Sequence, residues 1–140
     1  MTVRFFTDGI TFNLKGKRQI VGWIEKIAEE EKKTIDSLCY VFISDKMILE
    51  MNRTYLKHDN YTDIITFDNS SGDVISGEMY ISINTVKENA KYYKVSFRIE
   101  LLRVILHGVL HLCGYKDDTE DLQKKMRKIE EKYLTYLTRK

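Results

Sequence analysis

The sequence predicts an α+β fold in a single domain spanning residues 1–140, with roughly four strands in a mixed sheet and four or five helices. Three observations carry that reading. The chain has 140 residues, enough to enclose one core and too few for two ordinary ones. Segments with strand-like and helix-like patterning both occur: two strands are paired through a loop and the chain ends in helices, which favours one layered structure. There is no internal repeat, no low-complexity tract and no linker rich in glycine or serine to divide it.

Each element follows from local pattern. Val3 to Phe6 is a short β-like run. Ile20, Trp23, Ile24, Ile27 and Ala28 then recur at helical spacing among charged residues, the mark of an amphipathic helix. Leu38 to Ile43 is apolar, aromatic and β-branched and reads as a buried strand, after which Asp45 can cap a helix carrying Ile48, Leu49 and Met51. Tyr61 to Phe67 is strand-like, the polar group DNSSGD interrupts it, and GEMYISI resumes as its antiparallel partner. Asn84 to Tyr93 reads as a polar helix, and Ser96 can cap an apolar helix reaching Cys113. Leu122, Met126, Ile129, Tyr133 and Leu137 stripe a last helix. The chain has no proline, so its turns rest on Gly, Asn, Asp and Ser.

Composition narrows the class. A hydrophobic share of 43% with 31% charged residues is that of a globular protein, and no apolar stretch reaches the ~18 residues of a membrane span. The N-terminal MTVRFFTDGITFN lacks the charged, apolar and small-residue regions of a secretory signal, so the expected location is cytoplasmic. Cys39 and Cys113 both lie in apolar stretches and read as small hydrophobes rather than a disulfide. A formal net charge of +2 neither demands nor excludes a nucleic-acid partner.

The chemistry concentrates in residues 107–117, HGVLHLCGYKD. Two of the three histidines stand four residues apart on the most apolar helix, and positions i and i+4 share a face with Cβ atoms roughly 5 to 6 Å apart. A pair of histidines on such a helix is commonly structural. Gly114 changes the reading, because it stands where a helix ends in a left-handed residue and lets the chain turn back. Asp117 is then in position to join His107 and His111. Two imidazoles and one carboxylate suit Zn2+ or another divalent ion, one per chain, with coordination positions left for water or substrate, as catalytic zinc sites have. Cys113 lies six residues past His107, on a different helix face, and is read as core. The basic run Lys124, Lys125, Arg127, Lys128 and Lys132, interleaved with Glu130 and Glu131, is read as a solvated helix face.

HGVLHLCGYKD closely resembles H-G-x-L-H-L-x-G-Y-D-H, the signature of the YbeY family of metal-dependent endoribonucleases of ribosomal RNA maturation. MNRTYLKHDNYTDIITF is similar to a second family segment, with Asn52, Asp59, Thr62, Asp63 and Phe67 on matching positions, and GEMYIS resembles the family's G-D-I-x-I-S strand. The resemblance implies a small α+β metallohydrolase acting on single-stranded RNA, with ribosomal RNA precursors and the ribosome or its proteins as partners. Three positions depart from the pattern: Asp117 replaces the third histidine, Leu56 an arginine thought to meet the RNA, and Lys116 an aspartate. Leucine cannot bind phosphate, so that role is either vacant or passes to Arg53, Lys57 or His58, the expected substrate contacts. No general base is apparent.

The zincin-like ligand spacing also matches metzincin peptidases. These need glutamate after the first histidine as general base, and this chain has Gly108 there. A ribosome assembly factor with a merely structural metal is the non-enzymatic alternative; coordination positions left open argue against it.

Overall fold

The computed structural model describes residues 2–56 and 62–138. Its elements run β1 (Thr2–Thr7), α1 (Lys17–Glu30), β2 (Thr34–Ile43), α2 (Asp45–Met51), β3 (Ile64–Asp68), β4 (Val74–Ser82), α3 (Ile83–Tyr93), α4 (Phe97–Leu112) and α5 (Glu120–Thr138). A π-helical stretch, Asn52–Leu56, prolongs α2. The sheet order is β1-β2-β4-β3, with β1, β2 and β4 parallel and β3 antiparallel to β4, so the mixed α+β architecture expected from the sequence is found.

Alternation along the strands decides what each sheet face buries. Leu38, Tyr40 and Phe42 of β2 pair with Gly77, Met79 and Ile81 of β4, and the side chains of this face join α1 and α4 in the main core. On the other face, Ile43 and Ile65 meet Ile48 of α2 in a smaller cluster. Most of α4 is buried, as its nearly continuous apolar sequence requires. The Tyr40 hydroxyl donates to the Ile105 carbonyl at 3.0 Å, fixing α4 against the central strand. Gly108 permits this approach: a Cβ there would lie 2.9 Å from Met79 Cγ and 3.1 Å from Ile64 Cδ1.

Some boundaries differ from expectation. Ser44, not Asp45, caps α2, its Oγ accepting from the Met47 amide at 3.2 Å; Asp45 stands in the first turn, where the helix dipole favours a carboxylate. Strand β3 begins at Ile64 and β4 at Val74, earlier than the GEMYISI segment; Tyr61 lies outside the described residues. Ser96 caps α4 as expected, accepting from the Ile99 amide at 3.1 Å. Among the described residues no helix is long and apolar enough to cross a membrane.

Candidate metal centre

His107 and His111 occupy the last turns of α4, and the chain then reverses. The Gly114 amide donates to His111 O and the Tyr115 amide to Leu110 O, both at 3.0 Å, with Gly114 at φ +106°. This paired closure around a positive-φ glycine is the Schellman arrangement. Gln123 of α5 donates to the Asp117 backbone carbonyl at 3.0 Å and holds the returning segment.

The reversal brings the three expected donors together. The Nε2 atoms of His107 and His111 are 3.0 Å apart, and Asp117 Oδ2 lies 3.1 Å from the first and 3.5 Å from the second. Donors about 2 Å from a tetrahedrally coordinated zinc stand about 3.3 Å from one another. The observed spacings match that requirement, so the residues fit a small divalent cation and could hold one. Cys113 packs against the core, and burial, followed by the charge of Glu31, pushes its thiol up to about 12. It therefore stays a hydrophobe.

Glu130 was not anticipated. Expected on the solvated face of the last helix, it is only 5% exposed, and its Oε2 lies 2.6 Å from His107 Nδ1. A carboxylate there accepts a hydrogen bond from Nδ1–H and leaves the Nε2 lone pair directed at the other donors. The signal was present in the spacing: position 130 is four past Met126 and three before Tyr133, on the face that buries both. Lys124, Lys125, Arg127, Lys128 and Lys132 are exposed, as expected. Burial lowers the proton affinity of His107, but the Glu130 hydrogen bond and charge, with Asp117 and Asp63, outweigh it and raise the net value. Burial also raises the Asp63 carboxyl, against the opposing effect of His107.

Two cavities meet at these residues. One of about 440 Å³ extends past Arg103, Met126 and Glu130; the other, of about 540 Å³, is lined by Leu56, Thr66 and Tyr115. His107, Asp117 and Asp63 border both. Leu56 thus lines the same cavity as His107, His111 and Asp117. Arg53 is exposed on the π-helical stretch, whereas Lys57 and His58 fall outside the described residues.

A second polar cluster supports the turn. Glu31, just past α1, accepts from the Tyr115 hydroxyl at 2.7 Å and also from the Tyr133 hydroxyl of α5. Trp23 of α1 donates from Nε1 to the Tyr133 carbonyl at 2.8 Å.

The family model described as Endoribonuclease YbeY matches residues 7–138. The chain belongs to the YbeY endoribonuclease family. The Endoribonuclease YbeY of Bacteroides thetaiotaomicron is 42% identical over 134 residues, covering 96% of this chain and 98% of the relative. That of Christiangramia forsetii is 43% identical over 129 residues, covering 92% and 90%. The solution structure of TM1509 from Thermotoga maritima superposes with a TM-score of 0.68 at 30% identity, covering 96% of this chain and 87% of that one. The peptidase alternative is not favoured, and the structure supplies a physical reason. Position 108 is packed against Met79 and Ile64 of the sheet, where even a Cβ would be 2.9 Å and 3.1 Å from their side chains, so the backbone as it stands leaves no room for a glutamate.

Proposed function

We propose that this protein is a metal-dependent endoribonuclease that cleaves single-stranded segments of ribosomal RNA precursors in the cytoplasm, with His107, His111 and Asp117 holding one Zn2+. The observation that carries the reading is the convergence of three donors at tetrahedral spacing, with Glu130 fixing the tautomer of one of them. Family membership supplies the reaction class. A bound divalent cation would supply Lewis acidity at a phosphoryl oxygen and lower the pKa of water.

The protein's own part is positional. Glu130 holds the His107 proton at Nδ1, and the Gly114 reversal brings the Asp117 carboxylate to the imidazoles. The two cavities that His107 borders would give a polynucleotide space to continue beyond the reacting phosphate. Arg53, Lys57 and His58 are the proposed backbone contacts near Leu56, on the strength of the sequence resemblance. Ribosomal RNA precursor should be cut by metal-replete protein, and cutting should stop on chelation and in His111→Ala. Elemental analysis should find about one ion per chain in the wild type and a clear loss in the variant. Equal metal content in the two proteins, or undiminished cleavage after verified metal removal, would sink the assignment.

A further inference from the structure

We propose that the cavity between α3, α4 and α5 is a subsite for one flank of a single-stranded RNA, with Tyr93 stacking on an unpaired base and Arg103 and Arg127 meeting phosphates. The proposal rests on the endoribonuclease reading and extends it to residues outside the metal centre. The cavity is continuous with that centre, since His107 and Asp117 border it. A strand reaching the metal would therefore have its next nucleotides here.

Burial divides the cavity lining into a floor and a rim. Val104, Met126 and the carboxylates Glu100 and Glu130 are buried, whereas Tyr93 and Arg127 are exposed. Asp63, Asp117 and Glu131 also line the cavity; Glu130 accepts from His107 Nδ1, and Glu100 Oε1 lies 3.5 Å from Arg103 Nε, an ion pair without a hydrogen bond. Glu100 is 3% exposed, so its charge draws the Arg103 guanidinium to the cavity wall. A guanidinium stays charged at any relevant pH and suits phosphate oxygens.

Tyr93 is 52% exposed and Tyr92 79% exposed, with ring centroids 5.0 Å apart at 85°. Large aromatic surfaces left in water beside a cavity mark a binding edge. Lys91 and Lys94 are exposed next to them. Aromatic rings among basic side chains are the usual platform for unpaired bases, and a duplex, whose bases are already stacked, cannot use it. The occupant is accordingly single-stranded.

The test is fluorescence anisotropy of a labelled, nuclease-resistant 2′-O-methyl octauridylate with metal-replete protein, run over a salt series alongside cleavage of unmodified RNA. Tyr93→Ala should weaken binding about tenfold or more, and Tyr93→Phe should restore it. Arg127→Ala should weaken binding and reduce the salt slope by about 0.7. Lys128→Ala, a charge change elsewhere on α5, should have little effect, and all variants should retain wild-type metal content. Wild-type binding by both Tyr93→Ala and Arg127→Ala would overturn the subsite while leaving the endoribonuclease reading intact. A duplex bound as tightly as the single strand would overturn it too. A wild-type protein that neither binds nor cleaves single-stranded RNA would remove the reading on which the subsite rests.

Discussion

Glu130 Oε2 lies 2.6 Å from His107 Nδ1, so a buried carboxylate on the last helix sets the orientation of an imidazole 23 residues earlier in the chain. Partners of this kind generally contribute about 10- to 100-fold to metal affinity. Glu130→Gln keeps the shape but offers a neutral group, so zinc should bind at least about tenfold more weakly in a competition titration against a chromogenic chelator. Unchanged affinity would show that the contact is incidental to the site.

Gly114→Val should damage the centre through the backbone. A Cβ at Gly114 would meet nothing within 4 Å, so the strain comes from φ +106° alone, a conformation β-branched residues avoid. Lower metal affinity together with a stability loss of about 1–3 kcal/mol in denaturant titration is expected. Full retention of both would show that the turn tolerates side chains.

Gly108→Ala tests close packing instead of torsion. The added methyl would press on Met79 and Ile64, and overpacking of a filled core costs about 1–3 kcal/mol. The thermal midpoint should fall. A midpoint equal to that of the wild type would mean that α4 can lift from the sheet without cost.

Alkaline stability should report on Tyr115. Burial, then its hydrogen bond to Glu31, pushes the phenol from an ordinary value of 10.0 up to about 12. A folded-state value above the unfolded one means that the unfolded chain loses this proton first. The contribution is complete below about pH 10 and is lost as pH rises towards 12. Urea midpoints measured from pH 9 to 12 should fall less steeply for Tyr115→Phe than for the wild type, and identical slopes would contradict the assigned shift.

The sequence revealed most where local pattern and burial agree. Ile20, Trp23, Ile24, Ile27 and Ala28 all turned inward on α1, and Ser96 caps α4 as proposed. The donors His107, His111 and Asp117 were legible because α-helical spacing and one glycine bring them together. Glu130 escaped because neighbouring charges resemble a solvated face, and only tertiary packing reveals which glutamate turns in. The Ser44 cap was missed by one residue: serine and aspartate both cap well, and backbone geometry chooses between adjacent candidates. The cavities could not be read at all, since they are bounded by residues from distant segments.

Glu31 grips tyrosines 84 and 102 residues away, one in the turn before Asp117 and one in α5. The turn that brings Asp117 to the imidazoles is consequently not an independent flap. Opening it would release the end of α1 as well, so the turn and that helix should exchange their amide hydrogens as one cooperative unit. A cation held by the turn would then protect α1, and the energy of ion capture would be shared with an element that never touches the ion.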